Sequence, residues 1–337
     1  MFPELRSVPF HVAAEGSGRQ IPIVTVGIPT FRRSELLAQA VQSVLAQNFD
    51  RPFELLITDN DPASRGAASL LDRVPALRQH AFRYVVNGTN VGHCQNVNRC
   101  IDLARSSWVT VLHDDDLLKP QALIDSFREL DRDPAIDGIV GAKATLDERA
   151  ERPDFIDLTL GGRLRALLKI GLNAGLYGGH ASRLLTTRKF FWGPVAGNVA
   201  GFVFRKTCAL ELGGLDPNEE PNSDYWFYTR FADRFHLRQH RRVVATVRIA
   251  VNESAKPEVI RGMFSETHRF RRSLAQCAVP RWWRYLSPFL LARSRIELRD
   301  LWGVEISAEE IGRLIGGRLP GHHPYLIWSA KFLMRGF

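Results

Sequence analysis

Asp114, Asp115 and Asp116 stand side by side in "VTVLHDDDLLKP", directly after a short apolar run. Adjacent anions at the end of a buried strand repel one another, so they must be paired, protonated or bound to a cation. Hard oxygen ligands at this spacing suit Mg²⁺ or Mn²⁺, ions that keep some of their waters and bridge to substrate phosphates. The plainer alternative is an acidic helix start, with Asp116 capping a helix that begins near Lys119 and Pro120. The loop glycine and later Glu of an EF-hand are missing. There is also no G-x-G-x-x-G after the first expected strand and no P-loop, so the common phosphate cradles are excluded.

Strands and helices alternate ahead of this cluster. "IPIVTVGIPT" reads as a buried strand, followed by the helix "SELLAQAVQSVLAQ" with Ser34 as its expected cap. "FELLITDND" and "HAFRYVVNGTNVG" are the second and third strands, "HCQNVNRCIDLARS" a helix and "SWVTVLHDDD" the fourth strand. This order predicts an α/β fold: a mostly parallel sheet flanked by helices. Ligands of such sheets bind beyond the carboxyl ends of the strands. "PTFRR", "TDNDP", "NGTNVG" and "HDDD" all fall there. Each alone is ordinary turn chemistry; four along one edge indicate a site.

Further on, "KPQALIDSFRELDRDP" reads as a helix and "DGIVGAKATL" as a strand. Residues from Glu148 to about Thr187 are basic and irregular, with "GGRLRALLKIGLNAGLYGGH" as a short helix. A strand, a helix ending at Gly213 and Gly214, an acidic loop, an aromatic helix and the strand "QHRRVVATVRIA" follow. Beyond Ser254 the chain turns helical, basic and aromatic, which puts a boundary near residue 255.

Composition is that of an ordered protein: 337 residues, 45% apolar and 24% charged. A net charge of +9 calls for an anionic partner, whether nucleic acid, a phosphate-bearing substrate or a lipid surface. Cys94, Cys100, Cys208 and Cys277 form no C-x-x-C pair, so neither zinc nor a disulfide framework is expected and a reducing cytosol fits. The N-terminus makes a poor secretory signal, and no window approaches the roughly 18 apolar residues of a membrane span. The N-x-[ST] matches at Asn87 and Asn252 are read as accidental. "HRFRRSLAQCAVPRWWRYLSPFLLARSR" and "HHPYLIWSAKFLMRGF" interleave cations with aromatics. They suit a helical cap on the catalytic domain, a helix lying on anionic lipid, or a single-strand nucleic-acid surface.

Over residues 21 to 235, roughly two-thirds of the chain, the order of these pieces resembles the family 2 inverting glycosyltransferases, which have the GT-A fold. The resemblance implies a GT-A domain (21–254, with a Rossmann-like nucleotide-sugar half 21–120 and an acceptor half 121–254); composition adds an N-terminal extension (1–20) and a basic aromatic helical C-terminal region (255–337) outside it. It places Pro29, Thr30, Phe31 and Arg32 against the nucleotide, Asp59 at the base edge, and Asn90 and Gly92 in the loop below. The acidic run matches the family's DxD motif. Asp115 and Asp116 then hold Mn²⁺ or Mg²⁺ on the donor diphosphate and Asp114 faces the donor. His113 replaces the usual first Asp, whose duty falls to Asp114 or Asp116. His93 and His113 are either phosphate contacts or local hydrogen-bonding groups.

Asp224 matches the aspartate of the acidic pair that serves as general base, with Ser223 in place of the first acid. Its alternative role is a helix N-cap. Trp192, Tyr225 and Trp226 either stack on an acceptor sugar or pack in the core. The implied activity moves a hexosyl or deoxyhexosyl group from a nucleotide-diphosphate sugar to a glycan or lipid-linked hydroxyl. The expected setting is the cytoplasm, peripheral to the inner face of the cell membrane, with nucleic acid disfavoured as a partner. Competing readings are a phosphotransferase or phosphatase with Asp114 as nucleophile and Asp116 as acid, and a nucleotide-sugar or glycan binding module without turnover.

Overall fold

A computed structural model of the chain describes residues 2–18, 20–148, 182–193, 195–249, 256–288, 290–291, 294 and 304–315. The expected short helix within 161–180 and the terminal aromatic segment 322–337 lie outside the described residues. Two compact units are present, the first comprising 1–146, 182–186 and 196–248, the second 147–181, 187–195 and 249–337.

The first unit is built on a ten-stranded sheet. Its strands are β1 (Phe10–Glu15), β2 (Val24–Thr30), β3 (Phe53–Asp59), β4 (Phe82–Asn87), β5 (Trp108–Val111), β6 (Leu117–Leu118), β7 (Gly138–Asp147), β8 (Ser182–Leu184), β9 (Val203–Arg205) and β10 (Leu237–Ile249). They lie in the order β1-β4-β3-β2-β5-β9-β7-β10-β6, with β8 paired to β10. All of β2, β4 and β5 is buried except Trp108, as is all of β3 after Phe53. Strands walled on both faces read as near-continuous apolar runs, which is why these segments show so plainly in the sequence.

The walls are helices α1 (Ser34–Leu45), α2 (Gly66–Arg73), α3 (His93–Leu103) and α4 (Ala122–Arg132). In α1, Leu37, Ala38, Ala40, Val41 and Val44 are buried, a stripe at helical spacing. The cap of α1 is Arg33 rather than Ser34, which is already helical. Strands β4, β3, β2 and β5 run parallel, as strand–helix alternation requires. Beyond β5 the pairing is antiparallel: β9 joins both β5 and β7, while β6 and β8 pair with β10.

Strand β1 pairs antiparallel with β4 through a bulge between Val12 and Ala14. Five of its six residues are exposed, so it carries no apolar alternation and read as a plain extension. The first unit also holds α6 (Lys206–Glu211) and α7 (Ser223–Arg234); α5 (Thr187–Phe190) belongs to the second unit.

In the second unit, α8 (Pro257–Cys277) and α9 (Ala308–Ile315) contribute Ile260, Phe264 and Ile311 to a cluster with Leu291, Val304 and Ile306. A second contact joins Phe191, Trp192 and Trp283, whose ring centroids lie 5.0 to 5.4 Å apart. The buried Arg271 closes it by donating from Nε to the Phe191 carbonyl at 2.9 Å. Among the described residues no helix is long and apolar enough to cross a membrane.

Helix α3 lies so near β2 that a Cβ on Gly27 would stand 2.6 Å from the Cβ of Cys100. This contact brings the start of α3 to the strand ends where the polar residues gather. Gly27→Ala is therefore expected to cost about 1–3 kcal/mol of unfolding free energy through overpacking, read from urea unfolding of the two proteins.

Candidate active site

Strand β5 ends at Val111, and the Leu112 amide donates to the Gly27 carbonyl at 2.9 Å, so the chain leaves the sheet beside β2. It turns at once, with the Asp116 amide bonded to the His113 carbonyl at 3.1 Å. Here the three acids meet different fates. Asp114 takes the Thr30 hydroxyl at 2.7 Å on one oxygen and Arg33 at 3.2 Å on the other. Arg33 also reaches Asp115 at 3.0 Å. Asp116 accepts the Arg248 amide at 3.0 Å and the Asn198 side chain at 2.7 Å.

Arg33 can span two acids because of the turn that precedes α1. Arg32 is left-handed there (φ 57°), uncommon for a residue with a Cβ, and its own guanidinium pairs outward with Asp61 at 2.7 Å.

Burial pushes the Asp114 carboxyl above its ordinary range, against the pull of Thr30 and Arg33. It does the same to Asp116, against His113. For His113 burial works downward, but Asp224, Asp116, Asp115 and Asp114 together outweigh it and hold the imidazole above its usual value. Each response has one cause: negative charge has been concentrated where little water screens it.

His113, Asp115 and Asp116 can each offer a ligand atom within 4.8 Å of the others. His113 Nε2 is buried and has no hydrogen-bond partner among the described residues. His113 Nδ1 lies 3.8 Å from an Asp116 oxygen, and one imidazole nitrogen with two carboxylates fits a divalent cation. The expected ligands Asp115 and Asp116 are thus brought together, and His113, read from the sequence as a phosphate contact or a local group, joins them. Asp116 caps no helix: α4 starts at Ala122 behind Gln121.

The loop 196–201 links this cluster to α7. Gly197 and Gly201, at φ 68° and 70°, let it bend tightly. Asn198 holds Asp116 through its side chain and accepts the Tyr228 hydroxyl on its carbonyl at 3.1 Å. The next amide, Val199, donates to Asp224 at 3.2 Å. The other Asp224 oxygen is buried without a hydrogen-bond partner among the described residues. Asp224 is not the cap of α7, a position held by Asn222. Lys143 on β7 donates to the Ala196 carbonyl and lies 5.9 Å over the Tyr228 ring. Burial lowers its ammonium to about 8, although Asp224 and Asp116 pull it upward.

Of the aromatics, Phe227 and Tyr228 are fully buried with Phe202, and Tyr225 is also buried. Trp226 is half-buried. Trp192 falls in the second unit, against Phe191 and Trp283.

The remaining expected residues collect at the ends of β2, β3 and β4. Pro29 and Thr30 are buried in β2, whereas Phe31 and Arg32 are exposed beyond it. Asp59 accepts the Tyr84 hydroxyl at 2.5 Å, the Ser64 hydroxyl and the Asp61 amide. Asn90 receives Asn60 at 2.7 Å and the Gly92 amide at 3.0 Å, with Gly92 at φ 81° starting α3. Behind them Asn87 bonds to Asn60 and Asn96, and Asn96 to the Thr58 carbonyl at 3.0 Å. Sequence reasoning missed Asn60, Asn87, Asn96, Asn198, Lys143 and Arg248. Lys143, a lone cation in the apolar "DGIVGAKATL", was the one visible signal among them.

The depressed Lys143 has a measurable consequence. Below pH about 8 folded and unfolded chains both carry its proton; between there and its ordinary 10.5 only the unfolded chain does. The wild type should therefore gain stability relative to Lys143→Met as pH rises across that window. Urea unfolding of both proteins at several pH values checks this, and a constant difference contradicts it.

Residues 25–188 match the family model described as glycosyl transferase family 2. The chain is 32% identical over 102 residues to a protein described as a colanic acid biosynthesis glycosyl transferase, WcaA of Escherichia coli (strain K12), covering 30% of this chain and 36% of that one. It is 25% identical over 209 residues to the uncharacterized protein MT1568 of Mycobacterium tuberculosis (strain CDC 1551 / Oshkosh), covering 61% of each. The chain thus spans less than two thirds of the length of both relatives.

Among solved structures, S. aureus TarS 1-349 in complex with UDP superposes with a TM-score of 0.54 at 12% identity, over 86% of this chain and 77% of that one. The mannosyltransferase PcManGT of Pyrobaculum calidifontis, in complex with GDP-Man and Mn²⁺, does so with 0.54 at 17% identity, over 99% and 89%. These likenesses show the expected GT-A type fold, an α/β sheet with a largely parallel centre. Over its matched segment, which runs from β2 through the acidic turn to α5, the chain is similar to glycosyl transferase family 2.

Proposed function

We propose that the protein is a metal-dependent inverting glycosyltransferase that moves a hexosyl or deoxyhexosyl group from a nucleotide-diphosphate sugar to a hydroxyl of a glycan or lipid-linked acceptor. One observation carries the reading. The donor set His113, Asp115 and Asp116 is tied through consecutive residues, Asn198 and Val199, to Asp224, whose second oxygen has no hydrogen-bond partner among the described residues. The solved relatives bound to UDP and to GDP-Man support a nucleotide-linked donor.

In this reading the acceptor hydroxyl gives its proton to the unpartnered oxygen of Asp224 while its own oxygen attacks the anomeric carbon. The bond from that carbon to the diphosphate oxygen breaks on the opposite side, so configuration inverts in a single displacement. Val199 fixes the other Asp224 oxygen, and Lys143 sets a cation beside the carboxylate. His113, Asp115 and Asp116 would hold a divalent ion, which would neutralise charge growing on the departing diphosphate; the imidazole nitrogen would favour Mn²⁺ over Mg²⁺. Pro29, Thr30, Phe31, Arg32, Asp59, Asn90 and Gly92 receive the nucleotide at the strand ends, next to Asp114. The half-buried Trp226 serves the acceptor, and the enzyme works in the cytoplasm at the inner face of the membrane.

Calorimetry with UDP-, GDP- and dTDP-sugars, with and without Mn²⁺, tests donor binding. Asp224→Asn should keep donor affinity within about twofold while transfer falls by about 10²–10⁴-fold, the usual worth of a general base. Transfer retained within tenfold contradicts the assignment. Asn198→Ala, which releases Asp116, should weaken Mn²⁺ binding about 10- to 100-fold, as measured by titration of free Mn²⁺.

A further inference from the structure

The second unit carries a surface that glycosyl transfer does not explain. Arg281–Leu286, "RWWRYL", forms a 3₁₀ helix, in which residues three apart lie above one another. Its six residues therefore make three rows. Trp283 and Leu286 face inward: Trp283 is 6% exposed, with its ring 5.0 Å from both Phe191 and Trp192, and Leu286 is half-buried. Trp282 and Tyr285 form an outward row, 53% and 62% exposed. Arg281 and Arg284 form the third, also exposed. Arg284 lies 4.8 Å over the Tyr285 ring and donates to its hydroxyl at 2.6 Å.

An aromatic row beside a guanidinium row is unusual on a surface that meets water alone, because two large rings stay wet. Trp and Tyr join an apolar body to a polar tip and suit the headgroup level of a bilayer. Guanidinium groups at that depth meet lipid phosphates with charge-assisted hydrogen bonds. The charge of the surrounding chain agrees: from Thr267 to Ile296 there are seven Arg and no Asp or Glu. A second copy of this face would set like charges together, whereas an anionic bilayer supplies both opposite charge and apolar depth.

We infer that the Arg281–Leu286 helix docks the protein on an anionic lipid surface, with Trp282 and Tyr285 at headgroup depth and Arg281 and Arg284 on lipid phosphates. This surface lies outside the catalytic machinery, and its test does not depend on glycosyl transfer.

The full chain is sedimented with phosphatidylcholine vesicles prepared with and without phosphatidylglycerol. Partition into the anionic vesicles should be about tenfold or more stronger and should weaken with salt. Trp282→Ser/Tyr285→Ser and Arg281→Gln/Arg284→Gln should each reduce it about tenfold, with circular dichroism and donor binding unchanged. Equal partition into both vesicles, binding to neither, or wild-type binding by both double variants overturns the inference. So does complete displacement of the vesicles by a short single-stranded oligonucleotide that binds through the same four residues.

Discussion

Charge balance at the end of β5 is the constraint on which the rest of this structure depends. Asp114, Asp115 and Asp116 leave a strand whose other neighbours are apolar, and Asp224 acts on the same imidazole. Anions in so little water must be compensated. The chain brings compensation from distant places: Arg33 from the cap of α1, the backbone amide of Arg248 from β10, and Asn198 from the loop 196–201. Identical residue types thereby acquire different chemistry. Asp114 is bound up by the protein, Asp116 is aimed by an amide on each oxygen, and Asp115 shares its cation with Asp114. What is left, an imidazole nitrogen among carboxylates, has the form of a cation site.

The sheet explains how such a cluster can exist. Parallel strands β4, β3, β2 and β5 end on the same edge, so four polar turns distant in sequence become neighbours. The antiparallel half has a different task, since β7, β9 and β10 deliver Lys143, the loop before β9 and Arg248 to the acids. The strap from Gly197 to Gly201 then joins the acidic cluster to Asp224. Asn198 hydrogen-bonds Asp116, and the adjacent Val199 amide hydrogen-bonds Asp224.

How much of this the sequence displays follows from the same physics. Doubly walled strands such as "VTVGIPT" announce themselves by continuous apolarity, and "HDDD" by the cost of crowding charge behind one. Strand β1 is almost wholly exposed and has no such signature. The antiparallel half was equally hidden, because a pairing direction is set by connections rather than by composition. Asp224 is singled out through family resemblance alone. Asn198 carried no signal, because its meaning lies in an amide hydrogen bond to a residue 82 positions away. The half-legible case was His113, visibly out of place in the acidic motif yet assignable to the cluster only once its ring nitrogen was seen beside Asp116.

The most direct measurement is pulsed EPR of Mn²⁺ bound to the protein with a nucleoside diphosphate. A coupling from one imidazole nitrogen, absent in His113→Ala and accompanied by weaker Mn²⁺ binding, is the predicted result. Mn²⁺ that binds with no nitrogen coupling, or equally well without His113, Asp115 and Asp116, would contradict the account.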